Sequence, residues 1–511
     1  MKSKLGLASV LFIGASLLLK VSGLIRDMVI AYYFGDSYIA DAYLAAFIIP
    51  NMFILFMTTG MKNAFVPSYI EALEENRGNY HFGQVMKGTN VISLVVTVLG
   101  MALAPYYIPL LYPEFSAAAT EIAVWVSVIF FATIMFVGIN AVLEAYFDAK
   151  NKFSLSMVSQ IIVIVASILA AFLFARQIGP YSLALGYTVG TVLSLLFKWV
   201  LIRPAKAVID LNGKLDWLEV KHFYFVFIPV GLTVAVGQIN LMVGTIFASQ
   251  FQEGAVTYIN YAKNLVHMPQ GIFGVTIATI IFPMLSKAIA TDDNKLFKKG
   301  IEQGLTTMYF ILLPSIVGML VLMPNIIALL YQRGEFTTSA TMATTQVAYL
   351  YFGSVLFFSL NNVINKGFYS LKKGNLILMI SLTSILLNFV LNYIFTAWIG
   401  YRGIPLAASV NALFYVGAQL VIFLKLVGGL NLKKVTIEYI KITAAVLVMV
   451  AAILPIKPII NDLSNLMQIV IVGVIGAIVY VAGAYVTKVE AFQFVWKKFV
   501  GKKGRKREST S

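Results

Sequence analysis

A handful of polar side chains interrupt otherwise apolar stretches, and any chemistry must start from them. Lys20, Arg26 and Asp27 follow the apolar run that begins at Leu5, and Asp41 opens the next run. Lys263 stands in Tyr261-Ala-Lys263-Asn264, ahead of His267 and Met268-Pro269-Gln270-Gly271. Asn388 and Asn392 fall in the eleventh run. An ionisable group within a membrane span costs about 3 kcal/mol or more, so it normally faces a bundle interior or a water-filled cavity. Lys20 and Asp27 are seven residues apart and share one helix face with Gly23 between them, while Arg26 lies beside that face. Two readings stay open: Lys20, Arg26, Asp27 and Asp41 neutralise one another as a structural network, or the cations offer net positive potential to an anionic substrate. Lys263 either snorkels to the interface from a helix end or faces Lys20 and Arg26 across a cavity. Asn388 and Asn392 are spaced i, i+4 and point the same way, as an interhelical packing pair or as a cation site. Packing is the favoured role.

This is chemistry of binding, not of catalysis. With no cysteine in 511 residues, disulfides, thiolate metal sites and cysteine nucleophiles are excluded. His81, His222 and His267 are too scattered for a metal site, and Asp292-Asp293 sits among lysines without a partner motif. No G-x-x-x-x-G-K-[ST] loop occurs, so energy comes from elsewhere than a P-loop. No catalytic residue, bound metal or cofactor is expected. Coupling to the membrane potential or to a monovalent cation is left as the driving force.

The elements that position these residues are membrane helices. Hydrophobic residues make up 60% of the chain and charged residues 12%, where a soluble domain carries about 25% charged residues; the mean hydropathy is +0.87. Fourteen apolar runs recur, centred near residues 15, 50, 97, 132, 164, 191, 235, 274, 316, 353, 386, 416, 447 and 478, each about long enough to cross a hydrocarbon core of roughly 30 Å. Lys2 and Lys4 before Leu5 imitate a secretory signal, but no small-x-small cleavage site follows, so this run is read as the first span. Pro50-Asn51 is expected to break the second span. Glu121 and Glu144, near the ends of the fourth, are read as interface residues.

The chain also contains a copy of itself. Pro105-Tyr-Tyr-Ile-Pro-Leu-Leu-Tyr112 with Glu114-Phe115 returns as Pro324-Asn-Ile-Ile-Ala-Leu-Leu-Tyr331 with Glu335-Phe336. At the offset of 221 that holds after this turn, Val142, Phe147, Lys152 and Ile178-Gly179 meet Val363, Phe368, Lys373 and Ile399-Gly400. Two similar lobes in a membrane suggest a machine with its binding site between them. The expected fold is all-α and membrane-integral: about fourteen transmembrane helices, in two six-helix lobes related by the repeat (residues 1–210 and 211–430), two further helices (431–488) and a basic tail (489–511).

Charge placement orients the chain. With both termini cytoplasmic, 31 of the 38 Lys and Arg fall in inner segments, leaving Arg26, Arg176, Arg333, Arg402 and Lys457 outside and Lys20 and Lys263 within spans. The net charge of +16 is thus a topology signal, not a nucleic-acid patch. The stretch from Lys497 to Arg507 is either a solvated tail or a weak contact for anionic lipid.

Lys20-Val-Ser-Gly23-Leu-Ile-Arg26-Asp27, Phe34-Gly35, Asp41-Ala42, Ile49-Pro50-Asn51, Gly60 and Ala64-Phe65-Val66-Pro67 resemble the amino-terminal signature of the MurJ (MviN) lipid II flippases, within the multidrug/oligosaccharidyl-lipid/polysaccharide exporter superfamily. Asn240 to Ser249, Tyr261-Ala262, Pro269-x-Gly271-x-x-Gly274-Val275, Phe282-Pro283-x-Leu285-Ser286 and Gly367-Phe368-Tyr369-Ser370 resemble later blocks of that family. The resemblance implies two lobes around a V-shaped cavity and a groove for the lipid tail formed by the last two helices. It also implies a diphosphate-linked lipid substrate, the family's basic positions on the first helix matching Lys20 and Arg26 and its acidic position Asp41; Lys20, Arg26 and Lys263 are expected to bind the diphosphate, with Asp27 and Asp41 as supporting charges. The chain departs from the pattern where Ile54 replaces a common base, Thr59 an acid, and Lys263-Asn264 an Asp-Arg pair. Sodium-binding relatives use an acid on the seventh helix, and none lies between Phe223 and Ser249.

The expected function is export of undecaprenyl-pyrophosphate-linked peptidoglycan precursor from the inner to the outer leaflet by alternating access, in cell-wall synthesis. Its partners would be the lipid-linked saccharide, membrane lipids and cell-wall synthesis proteins. Alternatives are a flippase for another polyprenyl-diphosphate saccharide, a cation-coupled drug antiporter, which usually has twelve helices and an intramembrane acid, and a metal-dependent enzyme acting on polyprenyl phosphates.

Overall fold

The computed structural model describes residues 21–202 and 214–494, apart from the side chains of 233, 236, 274–276, 278–280, 282, 283 and 286. Lys2, Lys4, Lys20 and the basic stretch from Lys497 lie outside the described residues. No strand occurs among those described.

Among the described residues, helix α1 occupies 21–34. It is followed by α2 (Tyr38–Glu74), α3 (Gly78–Leu111), α4 (Ala117–Ala149), α5 (Phe153–Ile178), α6 (Tyr181–Leu201), α7 (Trp217–Ala248), α8 (Ala255–Val266) and α9 (Met268–Ala290). Next come α10 (Asn294–Leu330), α11 (Thr338–Ser370), α12 (Gly374–Ile399), α13 (Gly403–Val427), α14 (Leu432–Ile453), the short α15 (Ile456–Ile459) and α16 (Asn465–Val486). Among the described residues ten helical segments are long and apolar enough to span a membrane, or eleven with α7, which bends by 48° between Leu232 and Gly237. One of the ten, Gly374–Val427, is the pair α12 and α13 joined by a 3-10 turn. The run centred near 274 corresponds to α8 and α9 together. Pro50 does not break the second span: α2 runs unbroken for 37 residues with Pro50 and Pro67 inside it. A proline removes one ladder amide and crowds the carbonyl one turn back, which a long helix packed on several neighbours tolerates.

The repeat is legible in the backbone. α4 and α11 are both 33 residues long and α5 and α12 both 26, at the offset of 221. The Ser116 side chain caps α4 by accepting from Ala119 N–H at 3.2 Å, and Thr337 accepts from Ala340 N–H at 3.2 Å at the head of α11. Asn151 and Lys372 both turn with positive φ (59° and 56°), as do Gly179 and Gly400 (58° and 65°) at the α5–α6 and α12–α13 corners. Only glycine takes that last conformation cheaply, because its ψ lies near −145°, where a Cβ would clash.

The chain forms two compact units: residues 1–260 with Arg333–Ala340, and residues 261–332 with Thr341 onward. In the first, α4 packs against α2, α3 and α6, and α5 pairs with α6. α7 also belongs here, although the repeat would begin the second lobe near residue 211. Gly60 and Gly231 let α2 and α7 approach so closely that a Cβ on Gly60 would lie 3.0 Å from the Gly231 Cα. The Phe56 and Phe227 rings meet edge to face beside them, 4.8 Å apart. In the second unit α9 packs on α10, α12 on α13, and α14 with α16 on α10.

Candidate functional site

Arg26 and Asp27, on α1, form an ion pair within one helix: Arg26 Nη2 and Nε donate to Asp27 Oδ1 at 2.8 and 3.1 Å. The Arg26 guanidinium also lies over the Phe47 ring of α2, 5.5 Å from its centroid. The side chain of Asp27 is 1% exposed and that of Arg26 27%, so the accessible member of the pair is the cation.

Asp41 does different work from the charge network expected of it. Its carboxylate accepts from Gly254 N–H at 2.8 Å, from Thr257 N–H at 2.8 Å and from the Thr257 hydroxyl at 2.6 Å. Both oxygens are therefore engaged by the first turn of α8, whose orphan amides and positive dipole end favour a negative charge. Asp36 accepts from the Tyr258 hydroxyl beside it. The segment Arg333–Ala340 joins the same unit through Glu335 N–H, which donates to Tyr32 O at 3.1 Å.

Lys263 is half-buried in the last turn of α8, and its carbonyl accepts from His267 N–H at 3.0 Å. His267 in turn meets Gln270 Oε1 at 2.8 Å and Ser354 Oγ at 3.2 Å through its two ring nitrogens. Asn388 and Asn392 are buried on α12, and Asn392 Nδ2 donates to Asn388 Oδ1 at 2.6 Å, a bond along one helix rather than between two. Arg26, Asp27 and Asp41 belong to the first unit; Lys263, Asn388 and Asn392 belong to the second.

A denser polar cluster lies inside the first unit. Glu144 is not an interface residue but a buried one, and Lys198, one of the 31 cations counted in inner segments, is fully buried against it. Lys198 Nζ donates to Glu144 Oε1 at 2.9 Å and to Asn140 Oδ1 at 2.7 Å. Lys62 stands 3.3 Å from both Glu144 and Asp148. Ser159 and Gln160 donate to Glu144, each at 3.1 Å, and Ser156 donates to Asp148 at 2.8 Å. Near the α4 terminus such charges find water in sequence-based reasoning. Packing of α2, α5 and α6 around α4 removes that water, so pairing replaces solvation. The signal in the sequence was Asn140, Glu144 and Asp148 at successive turns of one face of α4.

A third group ties the start of α7 to α2 and α3. His81 bridges Glu219 (Nδ1 to Oε1, 2.6 Å) and Ser68 (Nε2 to Oγ, 3.0 Å), and Arg77 reaches Glu219 at 3.4 Å. Asp216 caps α7 through Leu218 N–H at 2.9 Å and accepts from the Tyr80 hydroxyl at 2.6 Å. That hydroxyl, with the cap amides, holds the Asp216 carboxyl below the usual carboxylate range.

Among the described residues no three His, Cys, Asp or Glu side chains gather as a metal site would require. The arrangement is suited to holding an anion by a partly exposed guanidinium, in helices that pack as membrane spans.

Residues 30–473 match the family described as lipid II flippase MurJ. A probable lipid II flippase MurJ of Vibrio cholerae is 28% identical over 457 residues, 86% of each chain. The lipid II flippase MurJ of Burkholderia cenocepacia is 28% identical over 411 residues, 78% of this chain and 80% of that one. A solved structure of lipid II flippase MurJ in an inward closed conformation superposes with a TM-score of 0.79 at 26% identity, covering 96% of this chain and all of the other. An inward-facing multidrug transporter of the MATE family, at 12% identity and a TM-score of 0.67, shares the fold. With a family match over most of its length and a matching fold, this multi-pass membrane chain belongs to the lipid II flippase MurJ family.

Proposed function

We propose that the protein carries lipid II, the undecaprenyl-pyrophosphate-linked disaccharide pentapeptide, from the inner to the outer leaflet by alternating access. The observation that carries this reading is the family match over residues 30–473, joined to a guanidinium at Arg26 that is more accessible than the carboxylate beside it. A diphosphate is recognised well by a planar guanidinium, which donates in a fork. Arg26, with Lys20 and Lys263, would bind the diphosphate. Asp27 would hold Arg26 in place. Asp41 would act at a distance from the substrate by fixing the first turn of α8, the helix that carries Lys263.

With the amino terminus inside, the inner loops carry most of the Lys and Arg. The membrane potential is a fitting driver, since one charge moved across 100 mV is worth about 2.3 kcal/mol. The test is translocation of lipid II by the purified protein in liposomes, with and without a potential. Failure under every gradient overturns the proposal. A second reading, export of another polyprenyl-diphosphate saccharide, is favoured by Ile54 and Thr59, where the family pattern has a base and an acid on the second helix. Complementation of a strain depleted of its lipid II flippase separates the two: rescue supports lipid II, and failure with normal insertion favours the other saccharide.

A further inference from the structure

Arg26 is held by more than its neighbour on α1. Asp27 Oδ1 accepts from both Nε and Nη2, at 3.1 and 2.8 Å, and so fixes one edge of the guanidinium. The guanidinium carbon also lies over the Phe47 ring of α2, 5.5 Å from its centroid. That ring is itself fixed. It packs 4.7 Å from Phe130 of α4, which is 1% exposed, and Phe130 meets Tyr43 of α2 at 6.0 Å and Tyr187 of α6 at 5.6 Å. Tyr43 and Phe47 are one turn apart, so both present to α4 from the same face of α2. A run of rings therefore leads from α6 through α4 to α2 and ends at the cation of α1, all within the first unit.

Two ways of restraining a cation differ in what they leave for an anionic ligand. A second carboxylate beside Arg26 would make the group net negative and repel a diphosphate. The face of an aromatic ring attracts a cation through its quadrupole and carries no charge. Asp27 already balances Arg26, so a further restraint that leaves the cation available to an anion must be a neutral one. Orientation matters here as much as charge, because a guanidinium donates in a planar fork. Ordering a long side chain before its ligand arrives removes that ordering cost from binding. The restraint has not sealed the cation away, since the Arg26 side chain is 27% exposed.

Resting on the reading of Arg26 as a diphosphate contact, we propose that Phe47 is a positioning residue for that recognition: its cation–π contact sets the orientation in which the guanidinium meets the anionic headgroup. Phe47 itself touches no substrate in this arrangement. It acts through Arg26, and Phe130 keeps it in place.

The experiment measures binding of undecaprenyl diphosphate and of lipid II to the full-length purified protein in detergent, with the thermal midpoint read in parallel. Replacing Phe47 by phenylalanines that carry an increasing number of ring fluorines keeps the shape nearly constant while drawing electron density from the face of the ring. Affinity for the diphosphate lipids should fall step by step along that series. Phe47→Leu, which keeps apolar bulk against Phe130, should weaken binding by a factor of about 5 to 30. Phe47→Tyr, which keeps the ring, should bind as the parent does. A ring that served packing alone would lower the midpoint of Phe47→Leu and give no trend in affinity among the fluorinated variants; that result overturns the proposal. So does an affinity left unchanged by Phe47→Leu. The reading of the cargo fails separately. A parent that binds undecaprenyl diphosphate but not lipid II, with the fluorine trend present, supports the positioning role and moves the cargo to another polyprenyl-diphosphate saccharide, whereas a parent that binds neither lipid overturns both.

Discussion

The segment α4–α5–α6 of the first unit and the segment α11–α12–α13 of the second begin from the same backbone. The lengths of α4 and α11 and of α5 and α12, the hydroxyl caps and the positive-φ corners correspond, from Ser116 and Thr337 to Gly179 and Gly400. Their interiors do not. One is closed by Lys198, Glu144, Lys62 and Asp148, the other by Asn361, Asn365, Gln419 and Tyr415. The difference teaches that duplication preserved what the backbone requires, namely caps and turns, while the polar filling of each unit was free to diverge so long as its net charge stayed near zero. An uncompensated charge in a span is expensive, so the two members of a pair change together.

The cations proposed to bind the diphosphate give the largest expected effect. Arg26→Glu should abolish lipid II translocation in liposomes while insertion and expression stay normal, and the exposed Arg176→Glu, at the end of α5, should leave it unchanged. Lys263→Glu sharpens the comparison: if transport survives it but not Arg26→Glu, the diphosphate is held by the first unit alone.

For stability, Lys198→Met should be the most damaging change in the buried clusters. It leaves Glu144 buried beside Lys62 only, a loss of about 3–5 kcal/mol, seen as a lower thermal midpoint in detergent. Lys198→Met with Glu144→Leu should recover much of that loss. Gln419→Met at the equivalent position should cost less, about 1–2 kcal/mol, because no charge is stranded. Equal losses at 198 and 419 would break the contrast between an ionic and a neutral interior.

Asp41→Ala should cost about 2 kcal/mol, since it removes a carboxylate that takes three hydrogen bonds at the start of α8. Its effect on transport should exceed that of Ser116→Ala or Thr337→Ala, each worth about 1 kcal/mol as a lost cap. Those two should match each other in unfolding measurements, because the repeat placed the same cap in both units.

The smallest effect concerns pH. The folded carboxyl of Asp216 is held below its ordinary range by Tyr80 and the α7 amides. Its contribution is present above the unfolded value, about 3.9, and is lost as pH falls through the lower folded value. Asp216→Asn should therefore reduce the acid sensitivity of unfolding below about pH 4 and change little at neutral pH.

Several features were legible in the residues alone. Long apolar runs can satisfy their backbone in lipid only as helices, so the spans followed from composition. The repeat followed from a turn copied with its Pro, Tyr, Glu and Phe. The resemblance followed from blocks such as Lys20 to Asp27 and Asp41-Ala42. Pairing was not legible, because it depends on which faces meet. Asp41 looked like a partner for nearby cations and instead caps a helix more than two hundred residues away. Glu144 and Lys198 looked like solvated ends and are buried together. α7 falls after the repeat boundary yet packs on α2 through Gly60 and Gly231. Sequence by itself determined the class of structure, because hydrophobicity and turn chemistry act locally. Only the tertiary structure decided which charges are matched, since a buried group's partner is set by distances that the order of residues does not contain.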